Sequence, residues 1–469
     1  MQLGDNHLSK IKHMYGTIHF HISRNRYPAL FDYCAAMTEN SRNLRNAVLF
    51  RVRQHFTSYG KDTLQPLQEE VRAEVLRTCK KTGRDMPKQV LTYYFMDKLL
   101  RVNRNPDYYS GLPMQSAQAV TKETINDFNS WLKALRAYNK DSSSFTGKPK
   151  MPRYTTCDHR IVSMTNQDCI IYRTEDGSTC LKLPKTKEKL HVIFPDDAKL
   201  KEVKIKPCYS EYEIIVVYEQ EAGSAVCNGT YFAGIDQGVE NIIAFVSNDG
   251  KTPILYKGGA IKAMNQSYNK AKAKYTGILM KGHDPKRVNI HTTRLSNIER
   301  KRSSFLRDEM HRISNHVVKE CISRGIGTLV IGKNVQWKTK TAMSKQSNQT
   351  FVQIPHCTLV WMIRYKAERN GITVIEQEES YTSKASFLDG DTLPVYGDKQ
   401  THIFSGKRIL RGLYCSKDGT VLNADINAAL NILHKAKPEA FEKMKDYSFL
   451  QNVRTVKFRD LHPAGRALS

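Results

Sequence analysis

Three scarcities in this 469-residue chain each close off a class of explanation. No stretch approaches the roughly 18 consecutive apolar residues of a membrane-spanning helix, so no membrane partner is expected. The opening residues, MQLGDNHLSKIKHMYGTIHFHIS, hold no apolar core and no small-residue cleavage site, and so read as no secretory signal. The ten cysteines are scattered, with none in a CxxC pair. That excludes a disulfide framework and a zinc ribbon of ordinary spacing, and points to free thiols in a reducing cytosol. Acidic residues are scarce as well: 46 Asp and Glu against 73 Lys and Arg leave a formal charge of +27. A compact chain so positive repels itself unless a polyanion neutralises it, and binding one releases condensed counterions. Nucleic acid is therefore the expected partner.

What is present is ordinary globular material, 40% hydrophobic and 25% charged, enough for two to four packed units. Residues 15–23 alternate as a strand, and from Tyr27 to about Asn139 the pattern is helical. Val120, Thr124, Phe128, Leu132 and Leu135 form one apolar stripe after the breaker Gly111–Pro113. In NSRNLRNAVLFRVRQHF, Arg42, Arg45 and Arg53 stand among apolar residues. They could follow a phosphate backbone or form a solvated basic face. The polar segment 139–154 reads as a linker or mobile loop. Short strands separated by turn residues fill 155–222, a spacing that suggests a compact β-barrel completed by the N-terminal strand, with 27–139 inserted in it. Beyond Tyr231 the texture is α/β. A hairpin over 231–251 precedes a basic helical stretch from about Gly259 to Arg324, rich in Lys270, Lys272, Lys274, Arg300 and Arg302. The strand GTLVIG, a helix over about 355–370, the strand ITVIEQ and a last helix opening at Asn423–Asp425 follow.

Carboxylates recur where these elements begin or end. Asp236 lies in the strand FAGID between Gly234 and Gly238, where little side-chain bulk blocks a cleft; a turn-forming Asp or a sugar-kinase-like phosphate loop would read the same. Asp425 sits at a helix start, which also suits the helix dipole; the small residues Ala424, Ala428 and Ala429 would let that helix lie close on a sheet. A two-metal phosphodiesterase needs three or four carboxylates around two cations about 4 Å apart. No acid ends the strand GTLVIG, where Gly332 stands. The next strand delivers Glu376, Glu378 and Glu379 at the same sheet edge, and Gly332 leaves room for a long Glu to reach across. An acidic metal site in a basic body suggests a nuclease.

The motifs GIDQGVEN, YKAE, YTSKAS and NADINAALNIL, in this order around a basic helix, resemble the TnpB family of transposon-encoded, RNA-guided DNA endonucleases, relatives of the miniature type V CRISPR effectors. The resemblance covers about 231–440 well, and the N-terminal half more loosely through GLPMQSAQ and KPKMPRY. It implies an RNase H-like RuvC nuclease domain preceded by a wedge β-barrel with a helical recognition insertion. The implied layout is wedge 1–26, recognition helices 27–139, wedge 140–228, RuvC 229–380, a zinc-ribbon-like insertion 381–420, RuvC 421–440 and a tail 441–469. Asp236 and Asp425 fall on the family's first and third acids. At the second, most members carry Glu where this chain has Gly332, and a sublineage has moved it to just before the YTS segment. That position is Glu379, with Glu378 as the alternative. The family's CxxC pairs are replaced by Ser386 and Asp389 and by the lone Cys415, so no structural zinc is expected. Lys407, Arg408 and Arg411 in that insertion suit DNA phosphate or a solvated loop.

These readings together imply an RNA-guided DNA endonuclease using two Mg²⁺ ions at Asp236, Glu379 and Asp425. Its partners would be a guide RNA and double-stranded target DNA, and its place the nucleoid of a prokaryotic cytoplasm. A nuclease-dead, RNA-guided DNA-binding repressor and a guide-free RNase H-like nuclease are the rivals. The guide's source, its length, the flanking motif and the oligomeric state are not legible.

Overall fold

The computed structural model describes residues 13–109, 111–221, 229–284, 292–333, 352–395, 397, 402–442 and 444–462. The chain divides into two compact units, Met1–Glu221 and Ala222–Ser469.

The first unit opens with β1 (His13–Ile22) and five helices: α1 (Pro28–Ser58), α2 (Pro66–Thr82), α3 (Tyr93–Val102), α4 (Pro106–Tyr109) and α5 (Met114–Lys140). The strands β2 (Val162–Thr165), β3 (Ile170–Arg173), β4 (Thr179–Lys182), β5 (Lys189–His191), β6 (Lys199–Cys208) and β7 (Glu211–Glu221) follow. The helices are thus an insertion between β1 and its sheet, since β1 pairs antiparallel with β7 over its whole length. The apolar stripe of α5 is core, as its spacing predicts: Val120, Thr124, Phe128 and Leu132 are buried. The compact barrel anticipated here is, among the described residues, two open sheets, one of order β1-β7-β6-β2 and one of order β3-β4-β5. Segment 139–154 is also more firmly held than a linker. Trp131 Nε1 donates to Pro149 O at 3.1 Å, and Asn46 exchanges two hydrogen bonds with the Thr155 backbone just beyond.

The second unit contains β8 (Tyr231–Gln237), β9 (Asn241–Ser247), β10 (Ile254–Lys257), α6 (Gly259–Met280), α7 (Thr293–Ser323), β11 (Ile326–Lys333), α8 (His356–Arg369) and β12 (Thr373–Glu378). It continues with β13 (Lys407–Leu410), β14 (Leu413–Cys415), β15 (Val421–Asn423), α9 (Ala424–Ala436), β16 (Arg454–Val456) and α10 (Phe458–Leu461). Its main sheet has the order β12-β11-β8-β9-β10-β16. Strands β8, β9 and β10 run antiparallel, and β11 then lies parallel to β8 and β12 parallel to β11. A parallel step needs a crossover, and α7 and α8 supply the two.

Both faces of this sheet are covered, which is why NIIAFVS in β9 is apolar without alternation and wholly buried. On one face Ile235, Ile243, Phe245 and Ile331 pack on Met310, Ile313 and Val317 of α7 and Leu359 and Ile363 of α8. On the other, Ala244, Val246, Leu255 and Val330 meet Ile426, Ala429, Leu430 and Leu433 of α9. Each Val, Leu, Ile, Met or Phe among these contributes roughly 1.5–3 kcal/mol by leaving water. Side chains alternate across a strand. Asp236, Gly332 and Gln377, each one residue beyond an α7-facing or edge neighbour, therefore belong to the α9 face.

Candidate nuclease centre

The close approach of α9 to β8 decides where the acids meet. A Cβ on Gly234 would lie 2.5 Å from Ala429 O and 2.8 Å from Leu433 Cβ, so only glycine lets the helix backbone rest on this strand. From that contact Asp425 is one helical turn back, about 6 Å, and Asp236 is two strand residues forward, about 6.5 Å. The two carboxylates are brought to one end of the sheet. Asn423 caps the helix, its Oδ1 accepting from Asp425 N at 3.0 Å and Ile426 N at 3.2 Å, which fixes where Asp425 enters.

The parallel register carries Glu379 to the same end. Ile331 is level with Ile235 in β8 and with Glu376 in β12, so Gly332 stands beside Asp236 and Glu379 follows just beyond. A Cβ at Gly332 would sit 2.8 Å from Glu379 Oε2 and 2.7 Å from Ile432 Cδ1. Glu379 thus occupies the space that the glycine leaves. β12 ends one residue before it, at Glu378, which pairs with Lys333, and Gln237 Nε2 donates to Gly332 O at 3.1 Å, tying β8 to β11 at this level.

The loop after Glu379 is fastened to α9. Asn427 and Asn431, buried and one turn apart, donate to Ala385 O at 2.8 Å each, and Asn431 also reaches Thr382 O at 2.9 Å. Phe387 N donates to Asn427 Oδ1 at 3.1 Å. The Thr382 hydroxyl donates back to Glu379 O at 2.8 Å. Tyr381 takes φ 66°, a left-handed conformation costly for a bulky residue, with its ring against His402 and Phe404. YTSKAS and NADINAALNIL are therefore one hydrogen-bonded unit that holds the loop after Glu379 on α9.

The electrostatics report the convergence. Asp236 keeps part of its surface open yet is densely surrounded by protein, and its carboxyl is held well above the usual range. Burial is the main cause, and the negative fields of Glu379 and Asp425 add to it. The other two glutamates of ITVIEQEE are committed elsewhere. Glu376 pairs with Lys333 and Arg364, which hold its carboxyl below the usual range. Burial raises the Glu378 carboxyl, but Lys435 Nζ at 2.8 Å and Ser380 N at 2.6 Å outweigh it and leave it lowered.

Among the described residues, no three His, Cys, Asp or Glu side chains form a ready cage for a metal ion. Asp425 is turned to protein partners: its Oδ2 accepts from Asn241 Nδ2 at 2.6 Å and its Oδ1 faces Arg408 Nη2 at 3.4 Å. The donor set itself, all carboxylate oxygen at one sheet edge, suits a hard divalent cation such as Mg²⁺. Asn241 and its partner Lys257 carry no role in the sequence reading. The only signal was the place of Asn241 in GIDQGVEN.

The remaining basic residues divide. Arg408 reaches the acids, and Arg411, largely exposed, lies 3.8 Å from Glu240. Lys270 and Lys274 are exposed on α6, and Lys272 pairs with Glu299. Arg300 is half-buried, and Arg302 is spent on Asn265 Oδ1 at 2.7 Å and Gln353 O at 3.1 Å. Arg42 and Arg45 bind the backbone of Asp158 and Arg153 and so brace their own unit. Between 386 and 417, backbone amides donate to carboxylates: Lys417 N to Asp389 at 2.9 Å, and Ser386 N to Asp391 at 2.8 Å.

Residues 215–338 match the family model OrfB_IS605, described as "Probable transposase", and residues 356–432 match that of the Cas12f1-like TNB domain. The second half of the chain is therefore similar to both families. A TnpB-like protein, ORF457 of Acidianus two-tailed virus, is 26% identical over 211 residues, 44% of this chain and 42% of that one. The CRISPR-associated endodeoxyribonuclease Cas12f1 of Sulfoacidibacillus thermotolerans is 28% identical over 233 residues, 48% of this chain and 50% of its own. The chain thus spans about half the length of the curated relatives that it matches. A solved Cas12f1–sgRNA–target DNA complex is 12% identical, covering 90% of this chain and 98% of that one, at a TM-score of 0.48. No described helix is long and apolar enough to cross a membrane.

Proposed function

We propose that this TnpB-like chain is an RNA-guided DNA endonuclease with a single nuclease centre at Asp236, Glu379 and Asp425. One observation carries the reading: the Asp236 carboxyl stands in the combined negative field of Glu379 and Asp425, three acids from distant parts of the sequence at one sheet edge. The sheet, in which β8, β9 and β10 run antiparallel, β11 and β12 are added parallel to β8, and β16 lies parallel to β10 at the far edge, supports the RNase H-like RuvC fold that the resemblance implied. Asp236, Glu379 and Asp425 would hold two Mg²⁺ ions, which supply charge neutralisation at the scissile phosphate and activation of the attacking water. Burial, and then the two acidic neighbours, hold the Asp236 carboxyl high, so positive charge brought to the site would favour its ionised form. Gly332 keeps the space in which Glu379 lies, and the Asn427–Asn431 clamp holds Glu379 against α9. Arg408 and Arg411 would draw the DNA backbone toward the acids.

In this reading the helices α1 to α5 and the open sheets of the first unit serve as recognition and wedge regions over 1–228, reading a short flanking duplex while base pairing reads the target. Residues 229–380 and 421–440 would form the nuclease, 381–420 a zinc-free insertion that handles the target strand, and 441–469 a tail. The guide RNA would offset much of the +27 charge. Relatives named as an endodeoxyribonuclease and as TnpB-like support the assignment.

The test begins with sequencing the RNA that copurifies with the chain, followed by plasmid cleavage with that RNA and Mg²⁺. Alanine at Asp236, Glu379 or Asp425 should abolish cutting and leave RNA binding intact, whereas Glu378→Ala should still cut. Guided binding without cutting by the unmodified chain would return the repressor, and full cutting by Glu379→Ala would remove that residue from the centre.

A further inference from the structure

Asp425 does not choose its own orientation. Asn241, the first residue of β9 and only 7% exposed, donates Nδ2 to Asp425 Oδ2 at 2.6 Å. Its Oδ1 accepts from Lys257 Nζ at 2.8 Å, and Lys257 is its cross-strand partner in β10. The two ends of an amide are alike in shape, so its orientation has to come from its partners. An ammonium group can only donate. Lys257 must therefore face the amide oxygen, and that turns the NH₂ group onto the carboxylate. The loop that brings Asn241 here depends on Gly238, where a Cβ would lie 2.7 Å from Asn241 O. One oxygen of Asp425 is thereby anchored in the fold. The other, Oδ1, faces the half-exposed guanidinium of Arg408 at 3.4 Å.

We propose that Asn241 is a positioning residue of the nuclease centre, anchoring Asp425 Oδ2 so that Oδ1 is the oxygen offered to a divalent cation, with Lys257 setting the amide orientation. The proposal rests on the metal-dependent reading of the three acids. A carboxylate held by one oxygen binds without first losing rotational freedom, and outer partners of this kind are commonly worth 10–100-fold in metal affinity. Arg408 does not perform this service, because its guanidinium opposes the same oxygen that a cation would take.

The full-length chain is titrated with Mn²⁺, free ion being read by electron paramagnetic resonance, and the RNA-loaded chain is assayed for cleavage against Mg²⁺ concentration. Asn241→Leu removes both hydrogen bonds at similar size. Asn241→Asp keeps the contact with Lys257 but cannot donate to Asp425. Both should weaken Mn²⁺ binding about tenfold or more and raise the half-saturating Mg²⁺ by a similar factor, with most of the maximal rate recovered at saturation. Lys257→Met should move both quantities the same way by less, and it carries the test if the Asn241 variants fail to fold. Mn²⁺ binding unchanged or tightened by these substitutions, while Asp425→Asn abolishes it, overturns the role of Asn241 alone. Binding indifferent to Asp425→Asn overturns the metal reading, and this proposal with it.

Discussion

A single methyl group tests the second acid without touching it. At Gly332, alanine would place its Cβ 2.8 Å from Glu379 Oε2 and 2.7 Å from Ile432 Cδ1, and the longer, freer glutamate would give way. A displacement of about 1 Å at a catalytic group can cost roughly 100-fold. Gly332→Ala should therefore lose about that factor in cleavage with its melting temperature little changed. Retained activity would detach Glu379 from the centre. Much of this was legible beforehand: an absent acid at 332 and a surplus of acids at the next strand end imply each other once the strands are parallel. Choosing among Glu376, Glu378 and Glu379 was a different matter, since it depends on Lys333, Arg364 and Lys435, which lie up to 57 residues away in the chain. Asn241 went unread for the same reason, its two partners lying 16 and 184 residues away.

Among elements, α9 and the loop 381–387 stand or fall together. Asn431→Ala leaves the buried Thr382 and Ala385 carbonyls short of a donor, a loss of about 1–3 kcal/mol. Chemical denaturation should show it, together with faster proteolysis of the loop; unchanged stability would mean that the clamp is incidental. The pairing of α7 with α8 makes a pH prediction. Lys366 of α8 donates to His311 O at 2.9 Å and Ser314 Oγ at 2.7 Å on α7, and burial pushes its pKa down to about 8. The unfolded value is near 10.4, so between the two the unfolded chain holds more protons and stability rises with pH. Lys366→Met should flatten that rise in denaturation measured from about pH 8 to about pH 10; an unaltered slope would refute it. Helices and strands were readable from periodicity because burial of one face imposes it. The closed barrel was over-read: short strands at even spacing fit two open sheets as well as one barrel. The arginines of α1 have a further use that the sequence did not display: Arg42, Arg45 and Arg53 donate to the backbone oxygens of Asp158, Arg153 and Pro152, because chain-internal carbonyls attract guanidinium as phosphates do.

For the molecule as a whole, charge is the dominant property. If the +27 surplus engages RNA through 6–10 phosphates, affinity should fall about 10³–10⁵-fold between about 50 and 200 mM salt. A shallow salt dependence, measured by filter binding with the copurified RNA, would assign recognition to other forces. The shared space at 332 and 379 has an outcome in descent. Two side chains cannot both fill it, so glutamate on one strand and bare backbone on the other should be inherited as a pair, and lineages should hold one arrangement or its mirror. A survey that inspects a single column for the missing glutamate would count such chains among the inactive even where the neighbouring strand supplies the acid.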